Sequence, residues 1–207
     1  MAADEKTANR LRRDLKERGI LMVNLIGSPG AGKTTLLEST LPGAGFRSAV
    51  IEGDVATSRD AERIAKTGTQ AVQINTHGGC HLEAHLVEKA LMELTLDMVD
   101  IIFIENVGNL VCPAEFDLGE DHKVAVSSLP EGPDKPLKYP HLFSEAGAVL
   151  LTKIDLYQYI PFDKDLFWGD VTRLNPSAEK IEISASAGDG MQEWNELLSR
   201  WLGDKRR

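Results

Sequence analysis

The chain has 207 residues, with 23 Lys or Arg against 32 Asp or Glu, so its formal net charge is −9. Its hydrophobic content of 42% is ordinary, its acidity disfavours binding to nucleic-acid backbones or anionic lipid, and no run approaches the roughly 20 apolar residues that cross a bilayer. The first twenty residues lack the apolar core of a signal peptide and two cysteines cannot form a disulfide framework, so we expect a cytoplasmic protein with reduced thiols.

Apolar runs alternate with segments of helical periodicity, and several runs are continuously apolar, as is typical of parallel strands covered on both faces. The predicted strands are Leu21–Ile26, Ser48–Glu52, Ala71–Ile74, Asp100–Glu105, Lys123–Ser128, Ala148–Thr152 and Lys180–Ser184. The predicted helices are Asn9–Arg18, the segment TLLESTL, Leu82–Leu96 and Met191–Leu202, and we expect a surface loop over residues 129–140. This alternation predicts a doubly wound, mostly parallel α/β sheet in one domain, with residues 1–20 as a helical extension.

A phosphate-binding loop is predicted directly after the first strand. Residues 27–34 are GSPGAGKT and fit G-x-x-x-x-G-K-[ST], with TLLESTL following as a helix. The glycines allow backbone N–H groups to turn toward phosphate oxygens, Lys33 reaches the β- and γ-phosphates, and the Thr34 hydroxyl ligates Mg²⁺. The predicted nucleotide-binding residues of this loop are Gly27, Gly30, Ala31, Gly32, Lys33, Thr34 and Thr35.

Two later segments favour guanine over adenine. Thr152-Lys153-Ile154-Asp155 ends a predicted strand and matches [NT]-K-x-D. The Asp155 carboxylate can accept from the N1–H and the 2-amino group of guanine, whereas adenine offers neither donor, and the Lys153 stem can lie along the purine face. Ser184-Ala185-Ser186 fits the loop in which a backbone N–H meets guanine O6. Either segment alone is a weak signal, but their order behind the phosphate loop predicts GTP.

Acidic residues at strand ends are candidates for holding Mg²⁺, which takes few protein ligands. Asp54 follows one predicted strand and Glu105 ends another, at the rim where such sheets bind ligands. We predict Thr34, Asp54 and Glu105 as magnesium ligands and Lys33, Asp54 and Glu105 as catalytic residues, although Asp54 could instead cap a helix. Gly108 is expected to donate its N–H to the γ-phosphate. No Gln or Arg stands in an obvious catalytic place, which predicts slow hydrolysis.

Soft metal ligands flank these segments. Cys80 and His81 directly precede the predicted helix at residue 82, with His77 and His85 nearby, and Cys112 follows the strand that ends at residue 105. Thiolate and imidazole suit Ni²⁺ and Zn²⁺ rather than Ca²⁺ or Mg²⁺. We expect the positive end of the helix to lower the pKa of Cys80. The alternative is that these cysteines are small buried hydrophobes.

The number of ligands suggests a dimer. One chain offers two cysteines and one or two histidines, so a closed four-ligand site forms more easily from two chains with two cysteines each. A metal-bridged homodimer on a two-fold axis follows as a hypothesis. Because Cys112 lies beside the predicted switch segment, nucleotide state could change the metal geometry.

Five segments together resemble the hydrogenase nickel-incorporation GTPases, the HypB family: GSPGAGKTTLLE, EGDVAT, THGGCHLEAH, ENVGNLVCPAEFDLGE and LLTKIDL. The resemblance covers the chain from about residue 21 onward and implies a SIMIBI-class P-loop GTPase, with a G domain over residues 21–207. It also implies a GTP-hydrolysing metallochaperone that binds nickel or zinc at Cys80, His81 and Cys112 and assists nickel insertion into [NiFe]-hydrogenase. The implied partners are a second copy of the chain, a hydrogenase maturation protein and the hydrogenase large subunit.

One departure and several alternatives accompany this resemblance. Many relatives carry an N-terminal cysteine motif or His-rich tract, whereas residues 1–20 contain neither Cys nor His, so we expect no N-terminal nickel store. The related urease accessory GTPase uses a Cys-Pro-His element, which Cys112-Pro113-Ala114 lacks. A non-enzymatic, GTP-bound scaffold stapled by zinc is another alternative. A small-molecule kinase is disfavoured by the two guanine segments.

Overall fold

The computed structural model describes residues 2–43, 45–54, 63–76 and 78–207. Within them, seven strands form one sheet: β1 Leu21–Gly27, β2 Ser48–Asp54, β3 Gln70–Asn75, β4 Ile101–Glu105, β5 His122–Ser128, β6 Ala148–Thr152 and β7 Glu179–Ile183. Their order is β3-β2-β4-β1-β5-β6-β7 and every neighbouring pair is parallel. The prediction of a doubly wound α/β fold is confirmed, and the described sheet is fully parallel.

Helices cover both faces of this sheet. The described helices are α1 Ala2–Arg18, α2 Lys33–Thr40, α3 Ala84–Leu91, α4 Cys112–Glu115, α5 Lys135–Lys138, α6 Pro140–Glu145, α7 Lys164–Leu174 and α8 Met191–Lys205. Short 3₁₀ turns occupy Leu96–Met98, Leu129–Glu131 and Ile154–Gln158. None of the described helices is both long and apolar enough to cross a membrane.

Successive side chains of β1 point to opposite faces of the sheet, so the hydrophobic core has a part on each face. Leu21, Val23 and Leu25 pack with α2 and α8, whose Trp194 is fully buried and donates to the Thr40 hydroxyl (3.1 Å). The opposite face is covered by α1 and α3 on one half and by α4, α6 and α7 on the other. Burial on both faces of the sheet explains the continuously apolar strands, because side chains at odd and at even positions of a strand are both removed from water.

Helices α3 and α1 differ most from their predicted bounds. The helix expected over Leu82–Leu96 is α3, which begins two residues later because Glu83 is extended (φ −117°, ψ 150°), and its last turn tightens at Met92, whose N–H bonds to the Lys89 and Ala90 carbonyls. Leu94 remains buried beyond the helix end, so the apolar spacing continues where the helix does not. The first helix is longer than expected, with acids in its first turn that complement the helix dipole.

The expected surface loop over residues 129–140 is more ordered than predicted. Ser128 and Glu131 form a reciprocal capping box around the Leu129–Glu131 turn, and α5 follows. Leu129 and Pro136 are buried, so this segment packs against the protein rather than lying over its surface.

An ion-pair cluster fastens the amino-terminal edge of the sheet. Asp100, directly before β4, accepts from the Arg47 backbone N–H (2.8 Å), from Arg47 Nε and Nη2 (3.0 Å each) and from Arg206 Nη2 (2.5 Å). The hydrogen bonds from Arg47 hold the pKa of the Asp100 carboxyl well below its usual range. The carboxylate therefore stabilises the folded state as long as it is ionised.

We expect Asp100→Asn to lower the free energy of unfolding at pH 7 by about 1–2 kcal/mol, since hydrogen bonds to a charged group contribute at that level. Because the folded-state pKa is depressed, the stabilisation is complete above the unfolded-state pKa of about 4 and is lost as the pH falls toward the folded-state pKa. Urea unfolding of both proteins should show their difference closing below about pH 4. Nucleotide affinity is the control and should not change. A difference that stays constant with pH would contradict the assignment.

Candidate functional site

The phosphate loop lies where β1 ends and α2 begins. Gly32 adopts a left-handed conformation (φ 95°) immediately before α2, which a residue with a Cβ rarely takes. Lys33 is buried, and its Nζ donates to the carbonyls of Gly27 (3.1 Å) and Ser28 (3.3 Å). The buried Ala31 carbonyl accepts from Thr152 Oγ1 (2.6 Å), so the loop is fastened to the end of β6.

Two buried carboxylates lie beside this loop. Glu105, at the end of β4, accepts from Thr34 Oγ1 (2.7 Å), and Glu52 is its cross-strand neighbour on β2. Both are more than nine-tenths buried and both line the phosphate cavity. Hydroxyl and carboxylate oxygens are the hard ligands that Mg²⁺ prefers, so this donor set fits the ion. The side chain of Asp54, the other predicted magnesium ligand, lies outside the described residues.

A cavity of about 470 Å³ opens in front of the loop. Its walls are Pro29, Gly30, Gly32, Lys33, Thr34, Thr35, Glu52, Gly53, Arg63, Glu105, Asn106, Val107, Gly108 and Lys153. Three cationic side chains and two acids therefore share one space, which suits a polyphosphate carried with a divalent cation.

Glu52 and Arg63 are lining residues that the sequence analysis did not name. The predicted strand already ended at Glu52, and the rule that acids at strand ends face the ligand would have selected it alongside Asp54. Arg63 donates through Nε and Nη2 to both carboxylate oxygens of Glu38 (2.9 and 2.6 Å) and through Nη2 to Thr35 Oγ1 (3.4 Å). No local pattern marks this arginine, because its position depends on contacts with α2.

Gly108 approaches the phosphate loop closely. A Cβ at this position would lie 2.7 Å from Pro29 Cγ and 2.9 Å from the Pro29 backbone nitrogen. Only glycine therefore lets the segment after β4 pass the loop at this distance. Gly108, which is predicted to contact the γ-phosphate, therefore lies against the predicted phosphate loop.

The two guanine segments meet in a second cavity of about 220 Å³, adjoining the first. Thr152, Lys153, Asp155, Ser184 and Ala185 all line it, together with Gly32, Thr35, Leu156 and Ser186. Lys153 lines both cavities, and its Nζ donates to the Gly30 carbonyl (2.7 Å). Its left-handed backbone (φ 61°) turns the chain from β6 into the 3₁₀ turn that carries Asp155.

Asp155 is held by a neighbour whose role the sequence analysis did not foresee. Ser184 Oγ donates to Asp155 Oδ1 (2.6 Å), so the hydroxyl of one guanine segment fixes the carboxylate of the other. Ala185 is fixed in turn, because its carbonyl accepts from Ser39 Oγ (3.1 Å) on α2. Both segments that line this cavity are therefore fixed by side-chain hydrogen bonds.

The predicted soft ligands also lie together. Ligand atoms of Cys80, His81 and Cys112 are all within 4.8 Å of one another, and Cys80 Sγ lies 3.5 Å from His81 Nδ1. These separations suit three ligands around one Ni²⁺ or Zn²⁺ after small side-chain rotations. Phe116 stacks on the His81 ring, with centroids 3.7 Å apart and planes 14° from parallel.

The expected low pKa of Cys80 is wrong. The helix α3 begins at Ala84, so the thiol is not in its first turn. The hydrogen bond with Cys112, followed by burial and the charge of Cys112, raises the pKa of Cys80. The neighbouring thiol therefore opposes ionisation of Cys80.

One of the other two nearby histidines, His85, does not extend this cluster. His77 lies outside the described residues. His85 Nδ1 instead faces Glu83 Oε2 (3.2 Å) and Asp4 Oδ1 (3.5 Å). Asp4 accepts from the backbone N–H groups of Ala84 and His85 (3.1 Å each), so it caps α3 from the neighbouring α1.

Residues 21–182 match the model of the CobW/HypB/UreG nucleotide-binding domain. The chain is 50% identical over 205 residues to the hydrogenase maturation factor HypB of Escherichia coli K12, covering 98% of this chain and 69% of that protein. A crystal structure of HypB from Helicobacter pylori in complex with nickel superposes with a TM-score of 0.95 at 35% identity, over 99% of this chain and 97% of that one.

A more distant likeness concerns the fold alone. Signal recognition particle 54 kDa protein from Aeropyrum pernix, in complex with GDP, has a TM-score of 0.58 at 14% identity, over 90% of this chain and 47% of that one. The extensive matches at higher identity carry the assignment. The chain belongs to the HypB family of hydrogenase maturation factors, within the CobW/HypB/UreG nucleotide-binding domains.

Proposed function

We propose that this protein is a GTP-hydrolysing metallochaperone that binds nickel, or zinc, and assists nickel insertion into [NiFe]-hydrogenase. One observation carries the proposal: the segment leaving β4 contributes Glu105 and Gly108 to the phosphate cavity and, four residues later, Cys112 to the soft-ligand cluster. A change at the phosphates therefore has a short covalent path to a metal ligand. The nickel complex of the Helicobacter pylori relative supports nickel as the cargo.

The phosphate cavity would bind GTP and position it for hydrolysis. Backbone N–H groups of the loop and the Lys33 ammonium would hold the β- and γ-phosphates. Thr34 and Glu105, with Asp54, would hold Mg²⁺, which when bound neutralises charge on the β- and γ-phosphate oxygens. Gly108, brought against the loop by its contact with Pro29, would donate to the γ-phosphate.

Guanine selection would depend on Asp155. The Ser184 hydroxyl uses one lone pair of Asp155 Oδ1 and holds the carboxylate in place. The other lone pairs of this carboxylate, which lines the base cavity, would accept from guanine N1–H and N2–H. Thr152 would hold the phosphate loop against this pocket through the Ala31 carbonyl. The backbone of Ala185 would meet guanine O6.

The cargo would be held by Cys80, His81 and Cys112 of each chain. Three ligands leave a fourth position open, and a second copy of the chain can supply it through its own thiols. We therefore propose a homodimer whose formation depends on GTP, metal or both. The name of the relatives, hydrogenase maturation factor, supports a role in hydrogenase maturation. A hydrogenase maturation protein and the hydrogenase large subunit would then be further partners, in the cytoplasm. Residues 21–207 would act as one G domain with residues 1–20 as its helical extension.

We expect Asp155→Asn to weaken GTP binding by about 100-fold or more, because a site built to accept guanine N–H groups then faces them with an N–H donor. The same variant should gain affinity for xanthosine triphosphate, whose C2 carbonyl accepts from the new amide. Isothermal titration with both nucleotides measures this exchange. Loss of both affinities would indicate damage to the pocket, and unchanged GTP affinity would contradict the guanine assignment.

Intrinsic GTP turnover by the isolated protein should be slow. Arg63 lines the phosphate cavity, but its guanidinium is engaged in a bidentate pair with Glu38, and a working arginine finger contributes about 10³–10⁵ in rate. Phosphate release under multiple-turnover conditions is the measurement. A rate of several turnovers per second, on the order of a fully assisted GTPase, would contradict the expectation. No turnover in the presence of any metal or dimer would favour the non-enzymatic scaffold.

Nickel binding should respond to nucleotide through Cys112. We expect the wild-type Ni²⁺ affinity or stoichiometry to differ between GDP and a non-hydrolysable GTP analogue, with Cys80→Ala and Cys112→Ala abolishing binding. His85→Ala is the matched control, since this nearby histidine bonds to Asp4 and Glu83 rather than to the cluster. Equilibrium dialysis with mass measurement by light scattering gives affinity and oligomeric state together. Identical nickel binding in both nucleotide states would overturn the delivery role.

A further inference from the structure

A network of buried hydrogen bonds joins the segment after β4 to the residues before β5 through Asn24 of β1. Asn24, in the middle of β1, donates through Nδ2 to Glu120 Oε1 (3.1 Å) and accepts at Oδ1 from Asn106 Nδ2 (3.1 Å). Asn106 Oδ1 accepts from the Val107 N–H (2.9 Å), and Glu120 Oε2 accepts from the Leu118 N–H (2.7 Å). All three side chains are at least 94% buried. A polar network within an apolar core needs each of these hydrogen bonds, because a buried polar group without a partner is destabilising.

The hydrogen-bond partners at the two ends of this network allow only one orientation of its two side-chain amides. Backbone N–H groups can only donate, so Asn106 Oδ1 must accept from Val107, as Glu120 Oε2 accepts from Leu118. Asn106 Nδ2 then faces Asn24 Oδ1, which leaves Asn24 Nδ2 to donate to Glu120 Oε1. Burial raises the pKa of Glu120, and the hydrogen bond from Asn24 opposes that shift. Each amide can turn only by breaking a buried hydrogen bond.

One end of the hydrogen-bond network lies at the phosphate cavity. Asn106 and Val107 line that cavity directly before Gly108, and the Asn106 N–H bonds to the Leu25 carbonyl of β1 (3.1 Å). A shift of Gly108 toward or away from a phosphate would therefore pull on the Val107 N–H. The bond from the Val107 N–H to Asn106 Oδ1 is the first of the network.

The other end belongs to the loop that contacts the metal cluster. Residues 116–120 run from Phe116, which stacks on the His81 ring, to the buried Glu120. The loop is also packed on α1, where a Cβ at Gly119 would lie 2.7 Å from the Ala8 carbonyl. Since the loop is held at Glu120, displacement of that anchor moves the aromatic ring that covers the imidazole.

We propose that Asn24, Asn106, Glu120 and Phe116 are positioning residues that transmit the state of the phosphate segment to the imidazole of His81. The proposal rests on the proposed function and gives it a second route. Cys112 receives the nucleotide signal along the backbone, whereas His81 receives it through the buried amides and the stacked ring. Thiol and imidazole would thus be repositioned together.

Two variants of the full chain test this relay. Glu120→Gln keeps the side-chain size but turns an NH₂ group against one of two N–H donors, whichever way the amide faces. Phe116→Leu keeps apolar cover at a half-buried position and removes the stack, so it is the safer variant for folding. Glu115→Gln is the matched control, because it makes the same kind of substitution at an exposed residue directly before Phe116. Thermal unfolding verifies that each protein is folded.

The measured quantity is the ratio of Ni²⁺ affinities with the GTP analogue and with GDP, together with the Ni²⁺ absorption spectrum in each state. We expect both relay variants to bring this ratio toward one by about threefold or more and to reduce the nucleotide-dependent spectral change, with GTP affinity retained. The Glu115→Gln control should give the wild-type ratio.

Three results would overturn the relay. Wild-type ratios in both variants, or an equal loss of Ni²⁺ affinity in both nucleotide states, would show that these residues only support the fold. A wild-type protein whose nickel affinity ignores nucleotide would contradict the proposed function itself, and the relay with it. The first two results leave the nucleotide dependence intact and contradict the relay alone.

Discussion

Parallel pairing of β1 with β4 and β5 is the constraint on which the candidate sites depend. The register places Leu25 beside Glu105 and Gly27 beside Val126, so the phosphate loop and the segment after β4 leave the sheet at the same edge. Cations and hard oxygens gather there, and one soft ligand, Cys112, follows a few residues further along the segment after β4. A slip of one residue in this register would turn Glu105 to the other face of the sheet.

Features with a local cause could be predicted from the sequence. The seven strands follow from continuous apolar runs, and the phosphate loop follows from glycines at fixed spacing before Lys33 and Thr34. The base pocket needed two distant segments, yet each of them carries its own pattern, and the structure brings Asp155 and Ser184 within hydrogen-bond distance. Proximity of Cys80 and Cys112 was also expected, because both follow strands that end at one edge.

Features with a non-local cause could not be predicted. Arg63 reaches the phosphate cavity through its pair with Glu38, and the Asn24–Glu120 bond joins residues 96 apart in the chain. The pKa of Cys80 was expected in the wrong direction because helix position was considered and the neighbouring thiol of Cys112 was not. Tertiary contacts decide these properties, and single-sequence patterns do not contain them.

The attachment of α1 has a consequence for the metal end of the molecule. Asp4 caps α3, while Arg10 pairs with Glu88 and Arg12 with Asp117, so charged contacts reach both the helix and the loop beside the soft ligands. Such partly exposed pairs weaken as dissolved ions screen them, whereas the buried strands under the nucleotide cavities do not respond in this way. Ionic strength therefore acts on the attachment of α1, and through it on the helix and the loop beside the soft ligands, more than on the strands under the nucleotide cavities.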